Sequence, residues 1–452
     1  MSISRIFDIS RRSLAVYQRA LDVTAHNISN SSNPNFSRQR VLITTETPEI
    51  TAGFIWGTGA KLDNILRARN QMNDSQIRTN NYKFASSYKQ SELLGQVEEA
   101  FSEPSELGLS SLMNEFFSSW TELSVSPNST PLRSNVVHAA QKLSSKVKSI
   151  HDNLEVIKND TLSEYKEGVN TLNRLLSEIK TLNQQIYETS VAGYSPNDLL
   201  DQRDAAIDQL STLTNITVSM DSDNMVSISI GGVFAVNRNH SSEFKIKTTN
   251  GKLGLTTTDS NLDVNIIGGE LHALSDVYSN KIPDYLDKVD EVVNQLFNSV
   301  NALHTTGHTL TDPPQTNINF FESFTNGFLT INNDIINNPN LIAASADGTS
   351  GNGEIALQIS ELMNQTILNG STLGDIYGNL VSQIGNEKLS ASQSAESSLL
   401  ILEQLDMQRA SYSGVSIDEE MTNVIKFQRS YDASAKLIKV ADEMLETLIN
   451  MV

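Results

Sequence analysis

His304 and His308 stand four residues apart, a spacing that puts two imidazoles on one helix face and suits a pair of metal ligands. The string is HTTGH, in which Gly307 breaks the helix and no glutamate lies between to serve as the base of a zinc hydrolase. The pair reads as a helix end entering a loop. Asp221, Asp223 and Asn224 place oxygens as a calcium loop begins, but Val226 and Gly232 occupy the positions that need a turn glycine and a bidentate glutamate. They read as a hairpin turn. The third cluster is DLLDQRD, Asp198, Leu199, Leu200, Asp201, Gln202, Arg203 and Asp204. Paired carboxylates can do acid–base work, yet no His, Lys or Tyr at helical spacing completes a mechanism. The expectation is a capped helix: Asp198 near its positive end, Leu199, Leu200, Ile207 and Leu210 as the buried stripe, and Arg203 paired with neighbouring acids.

The chain has no cysteine, and no phosphate-binding loop, nucleophile elbow or dinucleotide fingerprint. No catalytic residue, metal site or cofactor is expected. Acidic residues number 53 against 33 Lys plus Arg, a net charge of −20, which argues against a nucleic-acid partner. Only 38% of residues are apolar and 6% aromatic, which suits long half-exposed helices better than a compact enzyme. No apolar run reaches membrane-spanning length, and the first residues do not form a cleavable signal.

The elements that position these clusters follow from periodicity. Ile3, Phe7, Ser10, Leu14, Tyr17, Leu21, Thr24 and Ile28 step by four and three, predicting a first helix that stops at SNSSNPN. Residues 39–66 read as irregular or short strands, with helix from about Ile65 to Ala100 and again over 107–123. Pro131 suits a first helical position, and no further proline occurs before Pro196. Ala140, Leu143, Val147, Ile150, Leu154 and Ile157 form one seam there; Tyr165, Val169, Leu172, Leu176 and Ile179 form a second, out of phase with the first. A helix of about 60 residues would be a rod roughly 90 Å long. A short helix over 195–213 precedes β-alternating segments with a hairpin signal at Asn250-Gly251. Helix returns from Glu270 to Leu303, interrupted at Pro283, followed by loops over 305–350 and helix from Glu354 onward, broken near Gly414.

The last helix has the cleanest seam: Val424, Phe427, Tyr431, Ser434, Ile438, Ala441, Leu445, Leu448 and Val452. Residues 1–45 carry six Arg and two Asp, a net of +4; residues 401–452 carry five basic and nine acidic residues, a net of −4. Opposite charge and matching seams predict that the two ends pair.

Four segments together resemble a known family. HNISNSSNPNFSRQR after the first helix resembles the N-terminal signature of flagellar axial proteins. SGVSIDEEMTNVIKFQRSYDASAKLIK, residues 413–439, is similar to their C-terminal signature. DLLDQRD, GGELHALSD and NALHTTGHTL narrow the likeness to the first flagellar hook-associated proteins. The usual Thr-Pro-Gly-Tyr turn is here Asn33-Pro34-Asn35-Phe36, where asparagine is expected to take the left-handed conformation. Only about 45 loop-rich residues follow the His-containing segment, so an outermost β insertion of larger relatives is expected to be missing.

The resemblance implies a non-enzymatic structural protein, secreted unfolded through the flagellar type III apparatus and placed at the hook–filament junction. Its implied partners are copies of itself in a junction ring, the hook protein, the filament-side junction protein, and a cytoplasmic export chaperone on the C-terminal helix. A hook or rod protein with the same ends is the alternative. The expected fold is mainly α with an inserted small β module, elongated and nested, its N- and C-terminal helices pairing in a coiled coil. Residues 1–35 and 415–452 would form the inner domain, 36–194 and 268–414 the long-helix middle, and 195–267 the outer module. Leu14, Tyr17, Leu21, Ile28, Val424, Phe427, Tyr431, Ile438, Leu445 and Leu448 would carry assembly.

Overall fold

The structure, a computed structural model, describes residues 3–450 apart from Ala52, Ser222 and 367–369. Val452, the last expected seam position, lies outside the described residues. Helix α1 (Ile3–Ser29) ends in the predicted asparagine-rich turn. That turn closes through Phe36 N–H to Asn33 O at 3.1 Å, while the Asn33 side chain accepts from Asn35 N–H at 3.1 Å. The left-handed asparagine expected there is not found: Asn35 has no positive φ, because the Asn33 carboxamide holds the turn instead.

Strand β1 (Gln39–Thr45) leads to a small hairpin, β2 (Glu49–Thr51) with β3 (Phe54–Trp56), and returns as β4 (Ala60–Arg67). β1 and β4 pair antiparallel from Gln39↔Arg67 to Thr45↔Ala60. Helix α2 (Gln71–Phe101) therefore begins after the ribbon, not at Ile65 as periodicity suggested. The Asn70 side chain caps it, accepting from Met72 N–H, and residues 60–67 give their backbone bonds to β1.

Helix α3 (Leu109–Val125) turns into α4 (Thr130–Val191), 62 residues with Pro131 in its first turn. At 1.5 Å per residue α4 spans about 93 Å. Both predicted seams are buried along it, save that Ile157 is partly covered. Helix α5 (Asn197–Leu213) folds back onto α4.

The β module follows. Strands β5 (Ile216–Met220), β6 (Val226–Ile230), β7 (Val233–Asn237) and β8 (His240–Ser241) form one antiparallel sheet. β9 (Phe244–Thr249), β10 (Lys252–Thr257) and β11 (Asp263–Val264) form another, ordered β11-β10-β9. In β6 Val226, Ile228 and Ile230 are buried and the serines between them are not, the two-residue alternation of a half-buried strand. Asn250 and Gly251 both take positive φ, as a tight hairpin turn requires. Two asparagines of α4 hold the module on the rod. Asn183 donates to Val226 O at 2.8 Å, and Asn173 both donates to Phe244 O and accepts from Phe244 N–H.

Helix α6 (Glu270–Asp276) passes through a π turn (Val277–Lys281) into α7 (Ile282–His304). The predicted interruption at Pro283 takes this form because proline has no N–H for the regular ladder. Residues 305–350 contain the hairpin β12 (Phe321–Thr325) and β13 (Phe328–Ile331) and the short α8 (Asn333–Asn337). Gly327 in that hairpin has φ +74, and a Cβ there would collide with the His151 ring on α4. Helix α9 (Glu354–Glu361) precedes α10 (Leu373–Ser413), which lies along α2, and α11 (Ile417–Asn450), which lies along α1. The architecture is the expected one: mainly helical and elongated, with a small β module and paired ends.

Candidate assembly interface

α1 and α11 run antiparallel. Tyr17 stacks on Phe427 with ring centroids 6.5 Å apart, and Asn27 Nδ2 donates to Glu420 Oε2 at 3.0 Å. The seam residues are not equally covered. The small members are buried: Ser10, Ala20 and Thr24 on α1, Ser434 and Ala441 on α11. The large ones flank that close approach, and Leu14, Tyr17, Leu21, Ile28, Val424, Phe427, Tyr431 and Ile438 are only half-buried. Leu445 and Leu448 are 37% and 52% exposed. The reason is length: α11 has 34 residues and α1 has 27, and their register is fixed at the Asn27–Glu420 end. The last turns of α11 therefore pass Ile3, by about 10 Å at 1.5 Å per residue.

A second surface of the pair is closed by charge. Arg38 Nε donates to Glu420 Oε1 at 2.8 Å, and its Nη1 pairs with Glu419. Burial lowers the affinity of the Arg38 guanidinium for its proton, but hydrogen bonds to the two glutamates outweigh it and hold its pKa above the ordinary value. Asn27 also bonds both backbone groups of Gln39, at 2.8 and 2.9 Å. Glu419 and Glu420, in the first turn of α11, are thus where the two ends of the chain are tied together.

DLLDQRD forms the base of this assembly. Asp201 accepts from Ser37 N–H and Oγ–H at 2.9 and 2.7 Å and from Arg67 at 2.6 Å. Asp204 is bridged by Arg67 at 3.0 Å and Arg78 at 3.3 Å, with Arg69 at 3.7 Å. Asp198 accepts from Gln39 at 2.8 Å and meets His26 at 3.3 Å. Arg409 of α10 reaches Asp208 at 2.9 Å, beside Arg78 at 2.7 Å. Burial alone would raise the Asp204 pKa, but Arg69, Arg67 and Arg78 outweigh it, and the carboxyl is held below its usual range. One network thereby ties α1, the ribbon, α2, α5 and α10.

Two expectations for this helix need correction. Leu199 and Leu200 are half-buried, not core; Ile207 and Leu210 are buried as expected, and the remaining cover falls on Asp201, Arg203 and Asp204. Arg203 does not pair with the neighbouring acids. Its Nη1 donates to Asn183 Oδ1 at 3.2 Å and to Asn224 O at 2.6 Å, because the carboxylates are already taken by arginines from β4 and α2. Burial brings the Arg203 pKa down to about 10. Sequence reading missed Ser37, Arg67, Arg69, Arg78 and Arg409; the only signal was the run Arg67-Ala68-Arg69 just before the Asn70 cap.

The other clusters are structural. His304 is fully buried, with Nδ1 2.7 Å from Ile318 O and Nε2 accepting from Ala343 N–H at 2.9 Å. It pins residues 318–343 to the end of α7 as a neutral imidazole, its pKa brought down by burial to about 4. His308 pairs its backbone with Ser345 instead. Asp221 accepts from Asp223 and Met225 N–H, both at 3.0 Å, making the expected turn. Among the described residues no group of three or more His, Asp or Glu is placed to hold a metal ion. Among them, too, no helix is long and apolar enough to cross a membrane.

Residues 94–321, half of the chain, match the family model of the flagellar hook-associated protein FlgK helical domain. The chain belongs to the FlgK family. Residues 408–451 match a second model, the C-terminal region of flagellar basal body rod FlgEFG proteins. The flagellar hook-associated protein 1 of Bacillus subtilis is 28% identical over 98% of this chain and 97% of its own length. That of Salmonella typhimurium is 22% identical over 99% and 100%. A basal-body rod protein FlgG from Buchnera aphidicola is 31% identical, but over 28% of this chain and 53% of its own. The flagellar hook junction protein FlgK of Burkholderia pseudomallei shares the fold, with TM-score 0.65, 15% identity, and cover of 75% of this chain and 100% of that one. The Salmonella alignment runs over 556 positions against 452 residues here, so that relative carries insertions. The family makes this a structural protein of the bacterial flagellum.

Proposed function

We propose that this chain forms the junction between hook and filament and that its presence allows the filament to assemble. One observation carries the choice of junction over rod or hook: hook-associated protein 1 relatives match end to end, whereas the rod relative matches over 28% of the chain. The half-covered seam supports the mode of action. Apolar side chains left partly open on a paired helix gain cover when copies pack side by side.

On this reading the role is mechanical and needs no catalytic residue or cofactor. Residues 1–35 and 415–452 form the inner domain of a junction ring, 36–194 and 268–414 its middle, and 195–267 its outer module. The ring contacts the hook protein on one side and the filament-side junction protein on the other. Before assembly the chain is secreted through the flagellar export apparatus, its C-terminal helix held by a cytoplasmic chaperone. Leu14, Tyr17, Leu21, Ile28, Val424, Phe427, Tyr431, Ile438, Leu445 and Leu448 carry the assembly contacts.

The test is electron microscopy of cells lacking the gene, with flagellin assayed in the medium. Bare hooks with shed flagellin are expected. Complete filaments would overturn the reading, and absent hooks would move the chain to the rod or hook.

A further inference from the structure

Ser37, Arg38 and Gln39 form a short strap between the asparagine turn and β1, and its side chains alternate between two parts of the chain. Ser37 and Gln39 turn to α5. Asp201 accepts from Ser37 Oγ–H at 2.7 Å, Asp198 from Gln39 Nε2 at 2.8 Å, and Gln39 Oε1 accepts from Asn197 Nδ2 at 3.2 Å. Arg38 turns the other way, to Glu419 and Glu420 of α11. The strap's backbone is bonded as fully. Ser37 N–H goes to Asp201, Arg38 N–H to Ser413 O at 2.9 Å, Arg38 O accepts from Ala68 N–H at 2.8 Å, and Asn27 takes both groups of Gln39.

The two elements on either side of the strap are anchored unequally. Among the described residues of α11 only Glu420, Ser434 and Ala441 are buried, and none of α11 joins the hydrophobic core, whose members fall between Leu93 and Ile384. Glu420 is 2% exposed: Oε2 accepts from Asn27, and Oε1 from Arg38 Nε, with Nη2 at 2.6 Å. An element with so few buried apolar contacts opens before the core does. α5 is part of that core through Ile207 and Leu210, and its Arg203 also holds the turn before β6 at Asn224 O.

We propose that Ser37-Arg38-Gln39 is a coupling strap: the seating of α11 on α1 through Glu420 fixes the strap, and the fixed strap completes the carboxylate sites of α5. The two states are α11 seated and α11 detached, and the strap is the element both sides bias. Glu420 and Asp201 share no bonding partner, the first being met by Asn27 and Arg38 and the second by Ser37 and Arg67. Three consecutive residues with every backbone group committed cannot shift on one side and stay in place on the other. When α11 leaves, Arg38 loses its carboxylates, the strap loosens, and Asp198 and Asp201 lose Gln39 and Ser37. The middle of the molecule thereby registers whether the last helix is in place, and the device works alike in a junction, hook or rod position.

Hydrogen exchange on the full-length chain tests this. Glu420→Gln should speed amide exchange over residues 37–39 and 201–208 by about tenfold, the α3–α7 core staying protected. Asp418→Asn, next to the strap's partners but bonded to none of its residues, should leave those amides unchanged. Coupling is reciprocal, so Asp201→Asn should speed exchange over residues 420–428 by a similar factor. Ser37→Ala, which leaves Asp201 to Arg67, is the milder variant with the same expectation. Exchange that rises only beside the altered residue would overturn the coupling. So would an equal rise with Asp418→Asn, which would make the effect one of general charge, or a loss of protection that spreads through the α3–α7 core. A double variant gives a second reading. Glu420→Gln with Asp201→Asn should lower the urea midpoint no further than the worse single variant, and shifts that simply add would overturn the proposal.

Discussion

Trp120 and Tyr431 are both large aromatic residues on amphipathic helices, and they meet opposite fates. Trp120 is fully buried, with Phe320 and Phe116 rings 5.3 and 6.2 Å away and His304 at 6.2 Å. Tyr431 is half-buried at the edge of the α1–α11 pair. The middle of the molecule is completed by its own chain: α3, α4, α7 and the 305–350 segment close on one another from all sides. The terminal pair has one partner helix and one ribbon, enough to bury serines and alanines and not enough to bury the tyrosines, leucines and isoleucines beside them. The same residue types therefore do different work. In the middle they hold the fold, and at the ends they stay half-covered.

Trp120→Ala breaks this comparison hardest. Removing a fully buried indole costs about 3–5 kcal/mol of stability, read as a lower urea midpoint by circular dichroism. Tyr431→Ala, at a half-covered position, is expected to cost under about 1 kcal/mol in the same measurement. Equal losses would mean that the ends are as self-sufficient as the middle.

Asp204→Ala strikes the joint between the two regions. The substitution leaves Arg67, Arg69 and Arg78 in a buried cluster without their shared carboxylate, and losing one partner of a buried ion network costs about 3–5 kcal/mol. The loss should show as exposure of the backbone of residues 37–39 and 198–208 to hydrogen exchange, with the α3–α7 core still protected. Uniform exposure would show that the network supports the whole rod and not the joint.

How much of this was legible depends on how far the partners lie apart in the chain. Periodicity showed α4, its two seams, the β module and the pairing of the ends, because a helix or strand that buries one face writes its period into the sequence. The break before Pro283 and the Asn250-Gly251 turn were readable for the same local reason. The ion network was not. Asp201 and Asp204 are neutralised by arginines about 130 residues away, and nothing local distinguishes such carboxylates from a solvated helix face. Strand β4 was read partly as helix because Ile65 happens to fit the period of α2, while its real partner is β1. The seam itself was legible, but not its unequal cover, which depends on α11 outrunning α1.

His304 gives a smaller effect with a definite sign. Its folded pKa of about 4 lies below the ordinary 6.5, so an unfolded chain takes up a proton that the folded one refuses. The stability it contributes is complete above pH 6.5 and is lost as the pH falls toward 4. By pH 5 the loss is about 2 kcal/mol. Urea midpoints at pH 7 and pH 5 should differ by that amount more in the unaltered chain than in His304→Gln. An equal pH dependence in both would mean that the imidazole is not held neutral.

The smallest expected change in stability accompanies the largest expected change in assembly. Leu445 lies on the part of α11 that passes the end of α1, and it is 37% exposed. Placing a carboxylate there buries no charge in the single chain, so Leu445→Asp should leave the urea midpoint within about 0.5 kcal/mol of the unaltered protein. In a junction the same position would be covered by a neighbouring copy, and an ionised aspartate cannot enter an apolar contact without losing its water. Hooks from cells carrying Leu445→Asp should therefore stand bare, with the variant folded and shed into the medium. Normal junctions built from it would show that the overhanging end of α11 stays in water after assembly. The half-covered seam further along the pair would then have to account for assembly on its own.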